Sequence, residues 1–239
     1  MRITTILFDL DGTLLPMDQE KFVKAYLGAL AAKLAPLGYD PKKLVDGIWT
    51  GTGAMVKNDG SRTNEEVFWN VFAGIFGDDV RKDEPHFDAF YHNEFQNAQT
   101  SCGFNEKAAP AIRKLKEMGF RVALATNPIF PAIATQSRIR WAGLEPEDFE
   151  LVTTYENSRH CKPNLAYYQD IMEQLGVTPE ECMMVGNDVD EDMIAATLGM
   201  KVFLLPECLI SRTQTDLSIY PQGGFDELLQ FAESLRNEA

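Results

Sequence analysis

The feature that most constrains this chain is an alternation of short apolar runs with amphipathic segments of helical length. The runs of strand length lie at 3–10, 120–125, 149–153, 182–185 and 201–205. Segments with apolar residues at helical spacing, each followed by glycine, lie at 105–118, 163–175 and 190–198. Strands that alternate with helices form right-handed βαβ units. We therefore predict an α/β fold with a Rossmann-like parallel sheet covered by helices on both faces.

The segment from residue 17 to residue 100 departs from this alternation. It is rich in aromatic residues and has helical patterns at 18–34, 41–48, 64–76 and 84–97. Such a composition is typical of a small helical bundle whose aromatic side chains fill its core. We therefore expect a core domain formed by residues 1–16 and 101–239 and a separate α-helical cap domain at 17–100. Residues 50–62, rich in Gly, Thr, Asn and Ser, are expected to form a mobile loop.

The net charge of −14 at pH 7 limits the partners that the chain can bind. A field of this sign repels nucleic acid and anionic membranes, so neither is expected as a partner. It also repels a phosphorylated substrate, so a phosphate site would need local positive charge, most simply a metal ion and a lysine. No apolar run is long enough to span a membrane and no signal-peptide pattern is present, so we expect a cytoplasmic location. The sequence does not indicate an oligomeric state.

Two aspartates, Asp9 and Asp11, follow the first predicted strand and precede Gly12. In open α/β sheets, ligands bind at the carboxyl ends of the strands. Two carboxylates that lie close together can divide into one ionised nucleophile and one general acid or base. Alternatively, both can bind a metal, because carboxylate oxygens suit Mg²⁺.

A hydroxyl and a lysine follow further along the chain. Thr126 ends the second predicted strand, and its hydroxyl, with the backbone amides of Asn127 and the residues that follow, can hold phosphate oxygens. Lys162 precedes Pro163 at the predicted start of a helix. From there it can reach the cleft as a compact cation beside a phosphoryl group.

These residues occur in the order of the signature motifs of the haloacid dehalogenase superfamily, which the chain resembles over residues 1–16 and 101–239. The resemblance implies a Mg²⁺-dependent phosphatase that acts on a small phosphorylated metabolite. It implies that Asp9 is the nucleophile and that Asp11 is the general acid and base. It also implies that Thr126, Asn127 and Lys162 bind the phosphate of the substrate.

The fourth motif of the family resembles the stretch that follows Gly186, but the match is imperfect. Asn187 stands directly after this glycine, where the family often has aspartate. Either Asp188 is the metal ligand, or Asn187 contributes its amide oxygen and Asp188 assists. We favour Asp188, together with Asp9 and Asp11, because a carboxylate attracts a divalent cation more strongly than an amide. The resemblance gives Asp192 a supporting role, with Asn187.

Other functions of the same superfamily, or of other α/β proteins, fit the sequence less well or remain open. A dehalogenase does not need a second acid, so Asp11 argues against it. A receiver-type signalling domain is about half this length and has no cap. A phosphomutase with the same core, and a catalytically silent member used as a binding module, both remain open.

The candidates for substrate specificity lie on or near the expected mobile loop and are Trp49, Lys57, Asn58 and Arg62.

Overall fold

The computed structural model describes residues 2–237, and these contain a four-stranded parallel sheet. Its strands are β1 (Thr5–Phe8), β2 (Arg121–Leu124), β3 (Cys182–Gly186) and β4 (Lys201–Leu204). The strand order is β2-β1-β3-β4, so the first strand lies inside the sheet and is paired on both sides. Helices separate the strands along the chain, and the predicted α/β fold is therefore confirmed.

Five α-helices lie between β1 and β2, and three follow β2. The first four are α1 (Gln19–Leu34), α2 (Pro41–Val56), α3 (Asn64–Phe76) and α4 (Glu84–His92). The others are α5 (Ala108–Glu117), α6 (Ala132–Trp141), α7 (Leu165–Leu175) and α8 (Phe225–Asn237). Residues 17–100, which carry α1 to α4, are called the helical insert below.

Side chains of the N-cap residues fix the start of several of these helices. Asp18 and Asp40 each accept a hydrogen bond from a backbone amide in the first turn of α1 and α2. Thr63 and Glu66 form a reciprocal capping box at the start of α3. Because these bonds satisfy amides that have no partner inside the helix, they set where each helix begins.

Four predicted elements differ in the structure. The helix predicted at 84–97 ends at His92, and residues 94–101 form a 3-10 helix. Residues 149–153 form no strand of the sheet; they run beside β2, joined to it by a single bridge between Leu124 and Val152 and by a few backbone hydrogen bonds. Residues 193–198 form a short 3-10 helix instead of an α-helix. The expected mobile loop at 50–62 is wrong in its first half, because α2 continues to Val56.

Two helices, α6 and α8, were not predicted. Helix α6 gives little amphipathic signal, because the residues that it buries include Thr135, Ser137 and Arg138. Helix α8 differs, because it carries apolar residues at helical spacing, including the buried Leu228 and Ala232. This pattern is typical of an amphipathic helix and could have indicated α8.

The helical insert packs through aromatic contacts against α6 and against the loop after β2. The rings of Phe95 and Trp141 are stacked with centroids 5.2 Å apart, and those of Tyr26 and Phe130 are 5.4 Å apart. These residues belong to one buried hydrophobic cluster that also contains strand residues such as Phe8. The insert therefore covers the end of the sheet where the first strand finishes. Within residues 2–237, no helix combines the length and the apolar character needed to cross a membrane.

Candidate active site

The carboxyl ends of β1, β2 and β3 meet beneath the helical insert. The amide of Asp9 donates to the carbonyl of Val185, at 2.9 Å, and the amide of Ala125 donates to the carbonyl of Phe8, at 2.7 Å. These bonds extend the parallel register by one residue past the strands. They bring Asp9, Thr126 and Asn187 to one edge of the sheet, as expected from the rule that ligands bind at this edge.

Asp9 and Lys162 form a buried ion pair together with Asp192. The Nζ of Lys162 donates to Oδ1 of Asp9 at 2.9 Å and to Oδ1 of Asp192 at 2.7 Å. Lys162 is only 1% exposed, so its charge is screened little by water. The structure thus brings together the predicted nucleophile, the predicted lysine and the predicted supporting acid, which lie far apart in the sequence.

The electrostatics of this group favour a charged lysine. Burial alone would lower the pKa of Lys162, but the carboxylates of Asp192 and Asp9 outweigh it and raise this pKa well above its ordinary value. Burial raises the pKa of Asp192, against the opposing effect of Lys162. The lysine consequently stays protonated at neutral pH and holds one oxygen of Asp9.

Thr13 joins the first loop to the loop that follows β3. Its hydroxyl lies 3.0 Å from Oδ2 of Asp9 and 2.9 Å from the amide oxygen of Asn187. The Asn187 side chain also packs against Gly12, whose φ of +90° suits glycine, and a Cβ at Gly12 would collide with that amide. The Gly12-Thr13 turn therefore fixes Asn187 beside Asp9.

Asp188 faces a different set of partners. Its Oδ1 accepts hydrogen bonds from the backbone amides of Asp190 and Glu191. Its Oδ2 accepts a hydrogen bond from Nη1 of Arg212 at 2.8 Å. Its own amide donates to Oδ2 of Asp192 at 3.0 Å. Asp192 thereby ties the loop after β3 to Lys162, in keeping with the supporting role predicted for it.

Asp11 pairs with an arginine that the sequence did not single out. Nη1 of Arg138, on α6, forms an ion pair with Oδ2 of Asp11, while Oδ1 of Asp11 is buried without a hydrogen-bond partner. Burial raises the pKa of Asp11, and the charge of Arg138 opposes this shift. The guanidinium also lies 4.3 Å from the centre of the Phe130 ring. No sequence pattern links residues 127 positions apart, so this contact could not be found from the sequence.

Thr126 and Asn127 line the same site. The carbonyl of Thr126 accepts hydrogen bonds from the hydroxyls of Thr153 and Tyr167, which hold the loop after β2 in place. Nδ2 of Asn127 donates to Glu191 at 3.1 Å, while its Oδ1 is buried and has no partner. The position expected for a phosphate-binding loop therefore borders Asp9.

A cavity of about 280 Å³ lies between these residues and the helical insert. Asp9, Asp11, Thr126, Asn127, Asn187, Asp188 and Asp192 all line it. Of the four specificity candidates in the insert, only Trp49 does. Asn58 is buried and donates to the carbonyl of Arg62 and to Oδ1 of Asn64, so it shapes its own turn. Lys57 and Arg62 are exposed and do not line this cavity.

The residues present match the chemistry of a Mg²⁺ site. Within residues 2–237, no group of three His, Cys, Asp or Glu side chains has an arrangement that could hold a metal ion. An amide oxygen is a further possible ligand, and that of Asn187 shares the hydroxyl of Thr13 with Asp9. All the candidate donors are oxygens, which Mg²⁺ prefers, and Oδ1 of Asp11 is buried without a partner. An oxygen ligand set that includes an amide or a backbone carbonyl is consistent with these contacts.

Comparisons with known proteins identify the family of this chain. A sequence model of the family described as "haloacid dehalogenase-like hydrolase" matches residues 3–198. Pyrophosphatase PpaX of Bacillus cereus is 26% identical over 201 residues, which cover 84% of this chain and 82% of that protein.

Two solved structures share the fold. A HAD phosphatase from Thermococcus onnurineus superposes with a TM-score of 0.57 at 21% identity, covering 96% of this chain and 97% of that one. A 2-haloacid dehalogenase from Pseudomonas syringae superposes with a TM-score of 0.63 at 20% identity, covering 99% and 100%. The predicted superfamily, and with it a phosphohydrolase at the level of the family, are confirmed. The chain belongs to the haloacid dehalogenase-like hydrolase family.

Proposed function

We propose that this protein is a Mg²⁺-dependent phosphatase that hydrolyses a small phosphomonoester through an aspartyl-phosphate on Asp9. The setting of Asp9 carries the proposal. Its carboxylate stands at the end of β1, borders the cavity, and is held by Lys162 on one oxygen and by Thr13 on the other. A nucleophile that is fixed in this way can attack phosphorus without first being oriented.

The reaction has two steps, and Asp11 serves in both. In the first, an oxygen of Asp9 bonds to phosphorus while the bond from phosphorus to the alcohol oxygen breaks, and Asp11 gives its proton to that oxygen. In the second, Asp11 takes a proton from a water molecule, which attacks phosphorus and releases phosphate from Asp9. Asp11 is suited to both steps because it lies two residues from the nucleophile and lines the same cavity.

Positive charge and donors must balance the phosphoryl group in this acidic protein. We assign the binding of its oxygens to Thr126 and Asn127, which line the cavity with Asp9, and to Lys162, which bonds to Asp9 but does not line the cavity. Phosphoryl transfer depends mainly on positioning and on electrostatic stabilisation, so each of these groups contributes directly to the rate.

A bound Mg²⁺ would supply the remaining positive charge beside the phosphoryl oxygens. We assign the ion to Asp9, the backbone carbonyl of Asp11 and Asp188. The amide oxygen of Asn187 is the alternative to Asp188 as a ligand of the ion, because Asn187 is the nearer neighbour of Thr13 and Asp9. Asp192 supports the site through Lys162 and through the amide of Asp188.

The helical insert, residues 17–100, is proposed to be a cap domain that excludes water from the reaction. Its side chains form a large part of the wall of the cavity that Asp9 also lines. The pyrophosphatase name of the Bacillus cereus relative supports phosphoryl chemistry for this chain as well.

The direct test replaces Asp9. Asp9→Asn is expected to abolish the hydrolysis of p-nitrophenyl phosphate in the presence of Mg²⁺ while circular dichroism shows an unchanged fold. Asp59→Asn, on an exposed turn of the insert, serves as the matched control and should keep full activity. Near-complete activity of Asp9→Asn would rule out the proposed nucleophile, and activity that survives EDTA would rule out the role of Mg²⁺.

A further inference from the structure

The cavity above Asp9 has an apolar wall that the proposed chemistry does not use. The helical insert supplies this wall, and most of its side chains are aromatic or aliphatic; among the aromatic ones are Phe22, Tyr26, Trp49, Phe68 and Trp69. Phe130, from the loop after β2, continues the same surface. The phosphoryl group must sit at Asp9, so this wall faces the part of the substrate that leaves as an alcohol.

The wall offers no cation to a second anionic group. Among the described residues of the insert that line the cavity, none is Lys or Arg, and the one carboxylate there belongs to Asp88. The hydroxyls of Tyr26 and Tyr91 lie 3.0 Å apart and bond to each other. An anionic leaving group would lose its hydration here and gain no charge partner, which is unfavourable.

The cation at the mouth of the cavity is already neutralised. Arg212 lines the cavity, but its guanidinium lies 2.8 Å from Asp188, 3.9 Å from Asp190 and 3.9 Å from Glu191. Three carboxylates around one guanidinium leave a net negative charge at this point. Arg212 therefore does not provide a free site for a carboxylate or a second phosphate.

We propose that the cavity accepts an uncharged, apolar leaving group, so that the substrate is the phosphate monoester of an aryl-alkyl or similarly hydrophobic alcohol. This inference rests on the proposed phosphatase function and specifies its substrate class. The bond that breaks joins phosphorus to the alcohol oxygen, and the neutral alcohol is left against the aromatic wall. The cavity volume, about 280 Å³, lies just below the usual range for small-ligand sites, roughly 300–1,000 Å³, and therefore suits a small alcohol.

The test compares alkyl esters whose leaving groups differ in polarity far more than in reactivity. With Mg²⁺ present, kcat/KM for 2-phenylethyl phosphate is expected to exceed that for 2-phosphoglycolate by at least about tenfold, a margin typical of apolar pocket contacts. Pyrophosphate is an anhydride with a more reactive leaving group, and it should still be hydrolysed more slowly than 2-phenylethyl phosphate because its leaving group is an anion. Equal or faster hydrolysis of 2-phosphoglycolate or pyrophosphate would overturn the apolar leaving group while leaving the phosphatase function intact.

A binding measurement separates this inference from the chemistry. Calorimetry with two phosphonates that cannot be hydrolysed, 3-phenylpropylphosphonate and 3-phosphonopropionate, reports on the cavity even if no ester is turned over. Tighter binding of the phenyl compound supports the inference, and equal or tighter binding of the carboxylate overturns it. Failure to hydrolyse any ester, p-nitrophenyl phosphate included, would instead contradict the proposed function.

A pair of variants on α2 tests the wall itself. Trp49 is 52% exposed and lines the cavity, so Trp49→Ala should fold and should lower kcat/KM for 2-phenylethyl phosphate about tenfold. Val56 is 42% exposed on the same helix and does not line the cavity, so Val56→Ala should leave this rate unchanged. Equal rates for the two variants would overturn the role of the wall.

Discussion

Arg138 forms an ion pair with Asp11 although its side chain is 1% exposed and α6 lies far along the chain from the first loop. The guanidinium also donates to Oγ1 of Thr135 and packs on Phe130. Asp11 thus pairs with a buried cation and also lines the cavity. Arg138 is accordingly a positioning residue for the proposed general acid.

The first prediction concerns this pair. Arg138→Met should lower the free energy of unfolding by about 3 kcal/mol, because one charge of a buried pair loses its partner. It should also reduce kcat more than it changes KM, because Asp11 acts on the leaving group and not on binding. Arg138→Lys should restore part of kcat. Urea denaturation and steady-state kinetics measure these effects.

Arg140 on the same helix provides the control. Its pair with Glu145 is exposed, so Arg140→Ala should change the free energy of unfolding by less than about 1 kcal/mol. If Arg138→Met kept normal kcat and lost only stability, Arg138 would have a structural role alone.

The second prediction decides which side chain of the loop after β3 binds Mg²⁺. Asp188→Asn should weaken Mg²⁺ binding by at least about tenfold, because a carboxylate attracts the ion more strongly than an amide does. Asp190→Asn is the matched control: Asp190 bonds to Thr213 and to the amide of Arg212, and should not affect Mg²⁺. Isothermal calorimetry with MgCl₂ measures both. Weak binding in Asn187→Ala combined with normal binding in Asp188→Asn would assign the ligand to the amide.

Only part of this site could be predicted from the sequence. Asp9, Thr126 and Asn187 each follow a buried strand, and parallel strands bring their carboxyl ends to one edge, so their proximity follows from the alternation alone. The pairing of Arg138 with Asp11 depends on how α6 packs, and the pairing of Asp188 with Arg212 depends on the path of a loop. Neither arrangement has a periodic signature, so sequence patterns could not show them.

The fold shows the same division. The strands β1 to β4 are short, buried and apolar, and the sequence located all four. The continuation of α2 through Gly51 and Gly53 was not expected, because glycine weakens an isolated helix. In the structure Gly51 lies against the ring of Phe68, and a Cβ there would collide with it. Close packing of α2 on α3 thus outweighs the low helix propensity of glycine.

The third prediction concerns thiol reactivity and its dependence on pH. Burial raises the pKa of Cys161 and of Cys182 from an ordinary value of 9.0 to about 12. Only the thiolate reacts with iodoacetamide, so both thiols should be alkylated slowly in the native protein at pH 8 and rapidly in urea. The unfolded chain releases these protons first as the pH rises, so each thiol also makes the protein less stable between about pH 9 and 12.

Mass spectrometry of peptides from native and urea-treated samples measures these rates residue by residue. Cys161 is informative because it precedes Lys162 and its sulfur lies 3.3 Å from Nδ2 of Asn64 at the start of α3. Equal alkylation of Cys161 in the native and unfolded states would show that the insert opens readily at this contact.

The last prediction concerns Lys162, whose ammonium bridges the carboxylates of Asp9 and Asp192 and offsets their mutual repulsion. Lys162→Met should reduce kcat by a factor on the order of 10²–10³, the loss typical when one donor that stabilises the charge of a transition state is removed. It should also make folding depend more strongly on Mg²⁺, because the two carboxylates then repel each other and a divalent cation can relieve that repulsion. Thermal unfolding with and without MgCl₂ measures this change. Lys57→Met, an exposed lysine of the insert outside the cavity, should alter neither quantity. An unchanged Mg²⁺ dependence in Lys162→Met would mean that the lysine does not offset the charge of Asp9 and Asp192.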